Sequence, residues 1–152
     1  MPLPITGYLI GQGESLTLID AGAGGSLGPT AGNLAATLAG VGNAPDTVTR
    51  LVFSHLHPDH IGGAVTGDVA TFANATVHVS AIERAFWTDP ANANAVPEAM
   101  KSWFDLAGQV LAAYGDRVQT FDGDADLGGG LSVVAMPRHT PGSASVRAPQ
   151  RR

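Results

Sequence analysis

A chain of 152 residues has room for one globular domain, and 44% hydrophobic against 14% charged residues argues against a disordered polymer. The net charge of −5 with eight scattered Lys and Arg leaves no stripe for a phosphate backbone, which excludes nucleic acid as a partner; zero cysteines exclude disulfides, thiolate metal sites and a cysteine nucleophile. No apolar run approaches the roughly 20 residues a membrane span needs, and Met1-Pro2-Leu3-Pro4 lacks the basic and apolar regions of a signal peptide. No membrane is therefore expected, and the cytoplasm is the default location, with a periplasmic or secreted parent left open.

Residues 5–10 and 15–20 are β-rich runs separated by Gly11-Gln12-Gly13-Glu14, which predicts a hairpin ending on Asp20. The following Asp20-Ala21-Gly22-Ala23-Gly24-Gly25 is glycine-rich, but it lacks the Gly-Lys-Ser/Thr ending of a phosphate-cradling loop. Leu34, Leu38 and Val41 recur at helical spacing, so residues 31–39 are expected to form a helix stopped by Gly40 and Gly42. After the turn Asn43-Ala44-Pro45-Asp46, residues 48–54 are expected to form a buried strand.

That strand delivers Ser54-His55-Leu56-His57-Pro58-Asp59-His60-Ile61-Gly62-Gly63, with three imidazoles and a carboxylate within six residues. A loop at a strand's carboxyl end is rooted by the scaffold while its side chains remain free to converge. Imidazole and carboxylate suit zinc and similar divalent metals, and four such groups exceed what so short a segment can turn upon one ion, which suggests two adjacent metals. A histidine-rich surface turn is the alternative.

Residues 76–79 read as a further strand, on which His78 alternates with apolar neighbours and is taken as a strand histidine. Ser80-Ala81-Ile82-Glu83 has the pattern of a capping box opening a helix that carries Phe86-Trp87 and ends at Asp89-Pro90. Residues 91–96 read as a polar loop. Pro97 then opens a helix to about Tyr114, with Met100, Trp103, Ala107, Val110, Leu111 and Tyr114 on one face. A strand near residues 117–121 leads to Asp122-Gly123-Asp124-Ala125-Asp126, which lacks the closing Glu of a calcium loop and reads as a solvated turn. Residues 131–136 form another apolar strand, followed by His139-Thr140-Pro141-Gly142.

His-x-His-x-Asp-His after a strand, with His139-Thr140-Pro141-Gly142 after a later one, resembles the signature of the metallo-β-lactamase-fold hydrolases. Within them the methyl parathion hydrolase-like branch resembles this chain most, through Asp20-Ala21-Gly22-Ala23-Gly24-Gly25, Gly28-Pro29-Thr30, the histidine motif and Phe86-Trp87 in its order. The resemblance implies an α/β (α+β) fold, an αβ/βα sandwich, of which residues 1–152 would be a single partial domain: the first half and the start of the second. It implies that His55, His57 and His139 hold one Zn2+, that Asp59 and His60 serve a second, and that Asp59 thereby takes part in catalysis. Asp20 would support the ligands from beneath, and Leu27, Trp87 and Phe104 would wall a substrate pocket. The implied reaction is attack of a metal-bound hydroxide on a small-molecule ester, lactone or phosphotriester.

Two departures qualify this. The family's bridging Asp and last His have no counterpart, because no Asp or His follows His139. Arg138 and Ser143 replace a usual Gly and a frequent His; the guanidinium opposes a cation and its backbone angle is one that Arg resists. The rival expectation is a catalytically inactive half-domain that holds at most one zinc, with an exposed sheet face that favours a homo-oligomer.

Overall fold

The computed structural model describes residues 4–148; residues 1–3 and 149–152, which include the basic tail Arg151-Arg152, lie outside the described residues. The hairpin forms as β1 (Tyr8–Gln12) and β2 (Ser15–Ile19), with Gln12 opposite Ser15. Its loop is therefore shorter than the sequence suggests, and Gly13 turns the chain at φ +58°. Parallel to β2 runs β3 (Arg50–Val52), then β6 (Thr76–Ser80) and β7 (Val118–Phe121), in the order β1-β2-β3-β6-β7.

Successive residues of β3 face opposite sides, and both sides are covered. Leu51 and Phe53 join Leu18, Val77 and Val79 in the larger core. That core is closed by α1 (Leu34–Gly40), α3 (Ala81–Thr88) and α5 (Glu98–Tyr114). Val52 turns the other way, into a small core with Phe121, Val133 and Ala144 beneath a second sheet. That sheet is β8 (Ala125–Gly128), β9 (Leu131–Ala135) and β10 (Ala144–Arg147), all antiparallel. Each fully buried Phe or Leu in these layers contributes about 1.5–3 kcal/mol.

The long helix α5 buries Ala107, Val110, Leu111 and Tyr114 of the face its spacing predicts, but Met100 and Trp103 are only half-buried and Phe104 is buried in their place; Gly115 at φ +52° ends the helix. Residues 91–96 depart from expectation. They belong to α4 (Pro90–Ala95), because Asp89 Oδ1 accepts from the Ala91 N–H at 2.8 Å and Pro90 occupies the first turn. The Asp-Pro pair that stops α3 thus starts another helix. Strand β8 begins inside the acidic run read as a turn, where Asp124 and Asp126 accept from the Ala135 and Gly128 N–H groups. Short elements complete the chain: α2 (Pro58–Ile61), β4 (Val65–Thr66) and β5 (Val69–Ala70). Among the described residues no helix is long and apolar enough to cross a membrane.

Candidate metal centre

Because β2 and β3 are parallel neighbours, Asp20 and Ser54 leave the sheet side by side at its carboxyl end, with the Asp20 N–H on the Val52 carbonyl at 3.0 Å. Asp20 is the one non-glycine residue with positive φ (+57°) among those described. This conformation is costly for a residue with a Cβ, and it turns the carboxylate under the histidine loop. Oδ1 accepts from the Ser54 N–H at 2.8 Å; Oδ2 receives the Ser54 hydroxyl and His60 Nδ1, each at 2.8 Å.

These bonds fix two tautomers. A carboxylate only accepts, so His60 Nδ1 carries the proton and Nε2 keeps a lone pair. Ser54 gives its one hydrogen to Asp20 and so accepts from His55 Nδ1 at 3.0 Å, which leaves His55 Nε2 bare as well. Ser54 lies just before the ligand motif and carries no metal-ligand signature in the sequence.

His57 opens α2, with Pro58 in its first turn, and His139 follows β9. His57 Nδ1 lies 3.1 Å from His55 Nε2 and 3.0 Å from His139 Nε2. The three donor atoms all lie within 4.8 Å of one another. Tetrahedral ligands at zinc distances stand about 3.3–3.4 Å apart, so the two short separations would open by a few tenths of an ångström around one such ion. Burial, followed by the charges on His60, His57 and His139, lowers His55 to about 3; burial and then His139 lower His57. Both rings are held neutral, as a ligand must be.

A second pair faces the same space, with His60 Nε2 3.4 Å from Asp59 Oδ2. Burial disfavours a charge on His60, but the hydrogen bond and charge of Asp20, with Asp59, outweigh it and raise its pKa. Two close approaches hold the loops together. A Cβ on Gly62 or Gly63 would collide with the carbonyl of Ala23 or Ala21, and the Ala21 N–H donates to the His60 carbonyl at 2.7 Å. The Asp20–Gly25 loop accordingly lies beneath the cluster.

The aromatic residues separate. Trp87 is buried with its ring edge-on to His57 at 5.5 Å, and buried Phe104 stacks behind Trp87 at 4.6 Å. Trp103, half-buried, meets His57 at 5.3 Å from another side. Leu27 is exposed and lines a hollow of about 630 Å³ with Gly22, Thr30 and Leu34, away from the three histidines. His78 stays in β6, outside the ligand group. Arg138 has no positive φ, so the glycine-like angle expected of it is not needed. Ser143 gives its hydroxyl to the Met136 carbonyl at 2.6 Å.

The Ser80–Glu83 capping box is absent: Ser80 makes no side-chain cap bond. Glu83 instead points inward, where Oε2 accepts from the Leu56 N–H (3.0 Å) and Trp87 Nε1 (2.9 Å), and Oε1 from the Gly142 N–H (2.8 Å). A buried helix start rewards an acceptor that reaches loop N–H groups more than one that folds back on its own turn.

Solved structures share this fold. The hydrolase AbOPH, of the beta lactamase superfamily, is 33% identical with a TM-score of 0.83 over 95% of this chain. AidC, a dizinc quorum-quenching lactonase solved with a product, is 28% identical with a TM-score of 0.81 over 93%. A probable metal-dependent hydrolase from Staphylococcus aureus shares the fold at 22% identity and a TM-score of 0.75 over 92%. The chain spans about half of each, at 51%, 51% and 52% of their lengths. No curated protein matches the chain. The family description that matches residues 1–152 is the metallo-beta-lactamase superfamily, and to that superfamily the chain belongs.

Proposed function

We propose that residues 1–152 are one part of a metallo-β-lactamase-like domain whose three-histidine group holds Zn2+ for hydrolysis of a small ester, lactone or phosphotriester. The observation that carries this is the gathering of His55 Nε2, His57 Nδ1 and His139 Nε2 from loops 82 residues apart in sequence. Asp59 and His60 would offer a second ion two donors. A bound cation would act as a Lewis acid, bringing the pKa of a coordinated water from about 16 to about 7 and polarising a C=O or P=O group. The chain's own residues prepare that chemistry: Asp20 and Ser54 aim two Nε2 lone pairs, and the Trp87 and Trp103 rings shield His57 on two sides. AidC, a lactonase, supports a lactone as one substrate class, and the methyl parathion hydrolase-like motif order supports a phosphotriester as another. Trp87 with Phe104 behind it would form the apolar wall, whereas Leu27, in its separate hollow, would not.

The test compares residues 1–152 with a protein extended through the second half of the fold, at matched Zn2+, on a chromogenic organophosphate and a lactone. Residues 1–152 alone are expected near background, because two donors hold a second ion poorly and no later Asp or His is present to add to them. The extended protein is expected to turn over in a chelator-sensitive way. Robust turnover by residues 1–152, abolished by His57→Ala, would contradict the donor count.

A further inference from the structure

Glu83 lies outside the donor set, yet it is 0% exposed and its carboxylate accepts from three N–H donors. Two of these belong to the histidine loops. Leu56 stands between His55 and His57, and Gly142 stands three residues after His139. Among the described residues no Lys or Arg pairs with it. A buried carboxylate without a cationic partner is expensive, and an apolar residue of similar size would spare the fold that cost. The cost makes sense beside a seat for positive charge.

Close packing gives the same picture independently. A Cβ on Gly142 would lie 2.6 Å from the Glu83 nitrogen and 2.7 Å from the Ser80 hydroxyl, so the His139 loop is seated directly on the start of α3. The Ala144 N–H then donates to the Ser54 carbonyl at 2.9 Å, which pins the far side of the same loop. His139 itself is exposed, and its ring meets only the edges of His55 and His57, at 4.8 and 4.7 Å, among the aromatic rings described. Its place opposite His57 depends on these anchors.

We infer that Glu83 is a positioning residue: it clamps the His139 loop to the His55–His57 loop and supplies the buried negative charge that strengthens their hold on a divalent cation. This rests on the metal-binding reading above. A carboxylate is required because all three partners donate. Gln keeps the size but has one acceptor oxygen, and its NH2 would face either the Gly142 N–H or the Leu56 and Trp87 N–H groups. Asp keeps the charge but is one methylene too short to reach both loops.

The experiment measures Zn2+ dissociation constants by chelator competition, the Co2+ visible spectrum, and amide exchange at Leu56 and Gly142. Parent, Glu83→Gln, Glu83→Asp and a control, Tyr114→Phe, are compared. Tyr114 is buried, bonded to the Phe72 N–H and the Ala64 carbonyl, away from the three histidines. Glu83→Gln is expected to keep its circular dichroism, weaken Zn2+ about 10–100-fold, shift the Co2+ bands and speed exchange at both amides without metal. Tyr114→Phe is expected to lower the melting temperature and leave Zn2+ affinity alone. A folded Glu83→Gln protein binding Zn2+ within about threefold of the parent would overturn the proposal, being well short of the loss expected for a ligand-orienting group. If that variant does not fold, the same result from Glu83→Asp overturns it. A parent that binds no Zn2+ overturns the metal reading and this proposal together, whereas a binding parent with unchanged Glu83 variants overturns only the role of Glu83.

Discussion

The three-histidine group and the Asp59–His60 pair sit side by side, but the protein treats them differently. His55 and His57 are pressed toward neutrality by burial and by neighbouring imidazoles, so their lone pairs are free for a cation. His60 is drawn the other way by Asp20, and a proton on it competes with any ion. The first group also gathers three donors where the second has two. Its third member is brought by the fold, whereas Asp59 and His60 are neighbours in the chain. Local sequence can supply a pair; a third donor needs distant loops locked together.

The largest effect is expected on removing a member of the group of three. His57→Ala should abolish tight Zn2+ binding, a loss beyond the ~10–100-fold typical of groups that merely orient a ligand, and leave the melting temperature of the metal-free chain nearly unchanged. Isothermal titration decides; a variant that still binds Zn2+ like the parent would assign the ion to other residues.

Asp20→Asn should have a smaller effect that separates the two sets. Asn cannot accept from His60 Nδ1, Ser54 N–H and the Ser54 hydroxyl together, so His60 loses its orientation directly while His55 is affected only through Ser54. Affinity at the group of three should fall by less than about tenfold, below the full range for a direct orienting group. Nitrogen-15 spectra should show a changed His60 tautomer. An unaltered His60 with a disrupted His55 would reverse this hierarchy.

The smallest effect is expected at His78, which lies outside both sets. Burial first, then Arg50, lower its pKa in the folded chain. Stability from the neutral ring is therefore present above the unfolded value near 6.5 and is lost as pH falls from there through the folded value. His78→Gln should flatten that part of the stability curve and leave Zn2+ affinity untouched. A changed affinity would mean that β6 communicates with the site.

What could be read in advance follows the same division. The motif from His55 to His60 is contiguous, and a strand before it with Gly62 and Gly63 after it betrays the loop's setting; the collisions at those glycines show why larger residues are unfit there. Asp20 was visible as the end of a hairpin, though its contact with Ser54 depends on strand pairing. Glu83 was misread because Ser-x-x-Glu also describes a capping box. A clue was present: Glu83 precedes Trp87 by four residues and so shares its inward helix face. Residues 91–96 were misread because Asp-Pro both stops and starts helices. Strands β8 and β10 escaped because Asp and Ser between short apolar residues look like turns until another strand pairs with them.

The central claim is that the two sets differ in their hold on metal, and a count of ions tests it most directly. The chain is loaded with excess Zn2+, passed through a desalting column, and its zinc and protein are measured by mass spectrometry and amino-acid analysis. One zinc per chain, and none in His57→Ala, is the predicted result. Two tightly held ions, or one that survives His57→Ala, would contradict it.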